Sequence, residues 1–125
     1  MAGELILVVD DNESNQKLVS FVLSQRGFVV RQAWNATEAL QEIATHPPQL
    51  VLMDIQLPGM DGLTLTRQLR SRPETRKLVI VALTAYAMAG DQQKALDAGC
   101  DGYLPKPIDT RTFADRVAAY LPRAS

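Results

Sequence analysis

Asp10-Asp11 follows the apolar run Leu5 to Val9, Asp54 follows Leu50 to Met53, Thr84 follows Leu78 to Leu83, and Lys106-Pro107 follows Gly102 to Leu104. If the ends of these runs converge, three carboxylates share one crevice. Like charges that close repel, and either a proton or a cation must relieve the repulsion. An all-oxygen cluster open to water suits magnesium, which keeps several of its waters. A lysine at the same place can pair with a carboxylate or a phosphoryl oxygen, and a threonine hydroxyl can donate to one. The plainer alternative is that each acid caps a helix or faces solvent. That account serves Asp10 or Asp11 alone, but serves poorly for all three acids together. A solvated lysine and a strand-terminal threonine are likewise the simpler readings of Lys106 and Thr84 taken singly.

The elements that must position these residues are legible as alternating patterns. Leu5 to Val9, Leu50 to Met53 and Leu78 to Leu83 are unbroken apolar runs without alternation, as expected of strands buried on both faces. Phe28 to Val30 and Gly102 to Leu104 are shorter and flanked by polar residues, which suits sheet edges. A first helix is expected from about Ser14 to Arg26, with Leu18, Phe21 and Val22 on its inner face and Gly27 ending it in a left-handed conformation. A second opens at Asn35, which forms a capping-box-like pair with Glu38, carries Ala36, Ala39, Leu40 and Ile43 on one face, and stops at His46-Pro47-Pro48. A third covers about Leu63 to Ser71, and a fourth about Asp91 to Ala98 with Gly99 beyond it. A fifth opens at Asp109 and buries Phe113, Val117 and Leu121.

Strict strand-helix alternation implies a doubly wound α/β fold, a parallel five-stranded sheet with helices on both faces. With the polar strands at the edges, the order is 2-1-3-4-5, and ligands bind outside the carboxyl ends at the switch point between strands 1 and 3. Asp10, Asp11 and Asp54 belong to that point.

Length and composition agree with this reading. The chain has 125 residues, 46% apolar and 22% charged, which is globular composition with one expected core. A formal net charge of -1 supplies no global basic field for nucleic acid or anionic lipid. Cys100 is the single cysteine, expected as a buried, inert thiol in a reducing compartment. The first apolar stretch is five residues long and followed by acids, which is neither a signal peptide nor a membrane span, and the expected location is the cytoplasm. Only Pro122 to Ser125 follow the fifth helix, so a single domain over residues 1–125 without an output domain is expected.

Asp10-Asp11, Asp54 with Pro58 and Asp61-Gly62, Thr84-Ala85 and Lys106-Pro107 together resemble the receiver domain of two-component response regulators. The resemblance spans about Leu5 to Leu121. The run Leu83-Thr84-Ala85-Tyr86-Ala87-Met88 with Gly90-Asp91 is similar to stand-alone receivers and to those of hybrid histidine kinases. It implies a flavodoxin-like, CheY-like three-layer sandwich. Asp54 would be the phosphoacceptor, attacking the phosphorus of a phosphohistidine on a sensor histidine kinase or histidine phosphotransfer protein. Asp11, Asp54 and the backbone carbonyl of Gln56 would ligate Mg2+, for which Mn2+ can substitute, with Asp10 acting through a metal-bound water. Lys106 and Thr84 would bind phosphoryl oxygens. Ala85 would leave the acyl phosphate accessible, and Gln56 and Tyr86 would tune its lifetime.

The resemblance further implies a switch in which Thr84 moves toward the phosphoryl group and Tyr103 turns inward. A downstream protein partner would read out the face of helix 4, strand 5 and helix 5. Lys106-Pro107 would be a cis peptide that aims Lys106 inward. No conventional enzyme is implied, only self-phosphorylation and slow dephosphorylation. Leu57, where many receivers have methionine, is a minor departure.

Three rivals fit less well. A phosphatase of the haloacid-dehalogenase type wants a second aspartate two residues after its nucleophile, where this chain has Gln56. A flavodoxin-like nucleotide binder would need a phosphate-cradling loop where Asp10-Asp11-Asn12-Glu13 would repel phosphate. A pseudo-receiver would have lost an acid or the lysine. His46 is expected at the surface at the opposite end of the sheet, and Trp34 is expected to pack partly against the second helix.

Overall fold

A computed structural model describes residues 3–55, 57, 59–84, 89–106 and 108–121. Its elements run β1 (Leu5–Val9), α1 (Glu13–Gln25), β2 (Val29–Ala33), α2 (Ala36–Thr45), β3 (Leu50–Asp54), α3 (Gly62–Arg70), β4 (Val79–Thr84), α4 (Ala89–Ala98), β5 (Gly102–Pro105) and α5 (Phe113–Tyr120). All four strand pairings are parallel, in the order β2-β1-β3-β4-β5. The doubly wound sheet expected from the alternation is therefore present.

The unbroken apolar runs exist because both faces of the sheet are covered. Successive strand residues point to opposite sides, so each strand feeds two cores. Leu7, Val9, Val51, Met53, Ile80 and Ala82 pack with residues of α2, α3 and α4. Ile6, Val8, Leu50, Leu52, Val81 and Leu83 pack with residues of α1 and α5. Asp54 and Thr84 are the last residues of β3 and β4, one step beyond the apolar runs, and are nonetheless buried.

Several boundaries differ from expectation for identifiable reasons. Strand β2 runs from Val29 to Ala33 rather than from Phe28 to Val30, in register with the whole of β1. As an edge strand it tolerates Arg31 and Gln32, whereas Phe28 turns into the core before the strand begins. In α1 the inner face is Gln16, Val19 and Leu23, while Leu18 and Phe21 are 39% and 62% exposed and Val22 is only partly buried. The helical phase is rotated because a polar residue, Gln16, occupies a core position. Asn12 caps α1 by accepting the Asn15 N–H at 2.9 Å.

Asn35 caps α2 by accepting the Glu38 N–H, but the Glu38 carboxylate accepts from Trp34 N–H, one residue before the partner a capping box uses. Helix α4 begins at Ala89, two residues before Asp91. Helix α5 begins at Phe113 rather than at Asp109. The N–H groups of Thr112 and Phe113 close a turn on the Asp109 carbonyl, and the Asp109 carboxylate accepts from Arg111 N–H instead of capping the helix. Gly27 follows α1 at φ 95°, the left-handed conformation expected of it. Among the described residues, no helix is long and apolar enough to cross a membrane.

Candidate functional site

Asp10, Asp54, Thr84 and Lys106 reach one end of the sheet because parallel strands put all their carboxyl termini there. Each is fixed by backbone bonds between neighbouring strands. Asp10 N–H donates to the Ala33 carbonyl at 3.1 Å, Ile55 N–H to that of Leu83 at 3.3 Å, and Lys106 N–H to that of Thr84 at 2.7 Å. Asp10 is fully buried, Asp54 and Thr84 nearly so, and Asp11 is exposed at the mouth.

The geometry behind Asp54 depends on a missing side chain. Asp61 caps α3 by accepting the Thr64 N–H at 2.8 Å, and Gly62 opens the helix directly against the end of β3. A Cβ at Gly62 would lie 2.4 Å from the Asp54 carbonyl oxygen and 2.9 Å from Ile55 Cα. Only glycine permits that approach.

Asp10, Asp11 and Asp54 each offer a carboxylate oxygen, and the three oxygens lie within 4.8 Å of one another. Lys106 Nζ stands 3.0 Å from Asp54 Oδ2 and 3.3 Å from Asp10 Oδ2. Asp10 Oδ1 accepts the Asn12 N–H at 2.8 Å. Its other oxygen, Oδ2, is buried and meets no well-aligned donor among the described residues, with Lys106 Nζ as its ion-pair partner. Burial pushes the Asp10 carboxyl above its ordinary pKa and the charge of Asp54 adds to this, while the Asn12 N–H and Lys106 oppose it. One lysine does not neutralise three carboxylates. A buried, incompletely satisfied carboxylate oxygen beside two further carboxylates is the donor set of a hard divalent cation, so the residues present fit magnesium.

Tyr103 on β5 is half-buried against the core on the α2, α3 and α4 side. It also lines a cleft of about 590 Å³ with Leu96, Arg116 and Tyr120, on the face formed by α4, β5 and α5. Gln56, Pro58, Ala85, Tyr86 and Pro107 lie outside the described residues. Cys100 is buried beside Thr66, and burial raises its thiol pKa. His46 is an exposed residue at the end of α2, near Glu42. Trp34 is 36% exposed.

Sequence reasoning missed Gln16. This side chain is fully buried below Asp10 and donates from Nε2 to the carbonyls of Val8 and Asp10 at 3.0 Å and of Ala33 at 2.9 Å. The available signal was its spacing from Val19 and Leu23, which marks it as part of the inner stripe despite its polarity.

Comparison with known proteins accords with this geometry. Residues 6–118 match the family model of the response regulator receiver domain. The polar-differentiation response regulator DivK of Brucella anthropi is 38% identical over 116 residues, covering 93% of this chain and 94% of that protein. Chemotaxis response regulator CheY4 of Vibrio cholerae superposes with a TM-score of 0.90 at 25% identity, covering 96% of this chain and all of that one. The receiver domain of sensor histidine kinase PA1611 from Pseudomonas aeruginosa, whose structure holds a magnesium ion in its active site cleft, superposes with a TM-score of 0.86. The two are 33% identical, with 95% of this chain and 98% of that one covered. A match over nearly the whole chain, together with the parallel sheet and the acids at its switch point, makes this protein a member of the response regulator receiver family of two-component signalling.

Proposed function

We propose that Asp54 accepts a phosphoryl group from a phosphohistidine of a histidine kinase or histidine phosphotransfer protein, and that the phosphorylated domain changes the partner it binds. The observation that carries this reading is the convergence of Asp10, Asp11 and Asp54 with Lys106 at the carboxyl ends of the sheet. Asp11, Asp54 and the backbone carbonyl of Gln56 would hold Mg2+, with Asp10 reaching it through a bound water. Magnesium, when bound, offsets the negative charge of the incoming phosphoryl group.

The remaining chemistry belongs to this chain. An Asp54 carboxylate oxygen forms the new bond to phosphorus as the phosphorus–nitrogen bond of the donor breaks, and the imidazole leaves as the neutral base once protonated. Lys106, already beside Asp54 Oδ2, would follow the charge onto a phosphoryl oxygen. Thr84, at the adjacent strand end, would donate its hydroxyl to another. Its displacement would let Tyr103 turn inward, and the cleft between α4 and α5 would be remodelled for a downstream protein. Pro107 would orient Lys106, and Gln56 and Tyr86 would set the lifetime of the acyl phosphate. The setting for this exchange is the cytoplasm.

The test is phosphotransfer from radiolabelled histidine kinases of the source organism, with and without Mg2+. Label should pass to the wild type only with Mg2+ and never to Asp54→Asn. Equal labelling of the two proteins would dismiss Asp54 as acceptor.

A further inference from the structure

The acidic loop is tied from beneath by one buried side chain. Gln16 lies on α1, in the first turns after the Asn12 cap, and its Nε2 faces three backbone carbonyls, those of Val8, Asp10 and Ala33. The amide has two hydrogens for three acceptors, so all three carbonyls share them. The opposite amide orientation would set Oε1 against three oxygens and is excluded by repulsion. Ala33 O also accepts the Asp10 N–H, so one carbonyl of β2 receives both the backbone of Asp10 and the side chain of Gln16. The segment from Asp10 to Gln16 thereby closes on itself. Asp10 Oδ1 accepts Asn12 N–H, Asn12 O accepts Gln16 N–H, and Gln16 Nε2 returns to Asp10 O.

This arrangement is not what packing alone would select. Val19 and Leu23 share the same buried stripe, and an apolar residue at 16 would continue it. Gln16 Oε1, moreover, is buried and accepts no hydrogen bond among the described residues. A polar residue kept at a core position with half of its amide unsatisfied is doing something other than filling volume. What its satisfied half holds is the backbone that carries Asp10 and Asp11.

We infer that Gln16 is a positioning residue for the divalent cation, fixing the Asp10-Asp11 loop at ligating spacing before the ion arrives. The inference rests on the reading of Asp10, Asp11 and Asp54 as a magnesium site. Groups that orient metal ligands from behind typically change metal affinity by about 10- to 100-fold when removed. The experiment is calorimetric titration of Mg2+ into wild type, Asp11→Asn, Gln16→Met and Val19→Ala at a temperature where each is folded by circular dichroism.

The dissociation constant should rise about tenfold in Gln16→Met and stay unchanged in Val19→Ala, which thins the same helix packing without touching the acidic loop. The Mg2+ concentration that half-saturates labelling by acetyl phosphate should rise in parallel, while the rate at saturating Mg2+ stays near that of wild type. Unaltered affinity in Gln16→Met, or equal weakening in Val19→Ala, would overturn the inference. If Gln16→Met does not fold, nuclear magnetic resonance of the wild type decides. The side-chain amide protons of Gln16 should already be protected from solvent exchange before Mg2+ is added, and rapid exchange there would overturn it equally. A wild type that binds no Mg2+, or an Asp11→Asn variant that binds as well as wild type, would instead overturn the reading of the site itself.

Discussion

Lys106 Nζ stands 3.0 Å from Asp54 Oδ2, and the two residues meet across the intervening strand β4. The same ammonium is 3.3 Å from Asp10 Oδ2, so a single cation compensates two buried carboxylates. Charges removed from water need such compensation, and loss of one partner leaves the others exposed to the full desolvation cost.

Lys106→Ala should therefore destabilise the protein in the absence of divalent cations by on the order of 2 kcal/mol. Urea unfolding at neutral pH measures this, and saturating Mg2+ should restore part of the loss. A variant as stable as wild type without added cations would show that the ion pairs contribute nothing net.

Asp10→Asn should act in the opposite direction. Burial first, and Asp54 second, raise the Asp10 carboxyl pKa in the folded state. The native protein then holds this proton more tightly than the unfolded chain. The contribution of Asp10 to stability is complete below the unfolded pKa of about 3.9 and is lost as the pH rises through the folded value. Removing the ionisation should raise the thermal midpoint of the magnesium-free protein at pH 7 and leave it nearly unchanged at pH 3. A lowered midpoint at pH 7 would mean that Lys106 more than offsets the burial.

Gly62→Ala sets two effects against each other. Alanine in a helix is favoured over glycine by roughly 0.5–1 kcal/mol, whereas overpacking costs about 1–3 kcal/mol. The clashing atom is the Asp54 carbonyl oxygen at 2.4 Å, a backbone atom that no rotamer change can move. The clash should win, lowering the urea midpoint and slowing labelling of Asp54 together.

The helical phase of α1 can be tested with two aromatic and aliphatic positions. Phe21 is 62% exposed and Leu23 fully buried. Phe21→Ser should change stability by less than about 0.5 kcal/mol, and Leu23→Ala should cost about 2–5 kcal/mol. The reverse ranking in denaturant unfolding would restore the inner face suggested by Leu18, Phe21 and Val22.

Much of this architecture is readable from residue order because parallel strands buried on both faces must be apolar throughout. Asp10, Asp54 and Thr84 each interrupt such a run at its carboxyl end, and the topology then gathers them without further information. Gln16 escaped notice because a polar residue at a buried helix position breaks the apolar period, and the three carbonyls that explain it come from β1, the residue after it and β2. Gly62 is visible in the sequence only as part of the Asp61-Gly62 motif, because close approach is a property of two elements, whereas the sequence displays one at a time. Asp109 misled because an acid before an apolar helix can cap the helix or close a turn of its own, and the Arg111 N–H took the carboxylate. Strand β2 extends beyond its apolar run because an edge strand tolerates polar residues such as Arg31 and Gln32.

The acceptor itself can be read chemically. Borohydride reduction of protein treated with acetyl phosphate and Mg2+ converts an aspartyl phosphate to homoserine, which peptide mass spectrometry locates. Homoserine at position 54 alone, absent without Mg2+, is the predicted result. Homoserine at another aspartate, or none despite bound Mg2+, would contradict it.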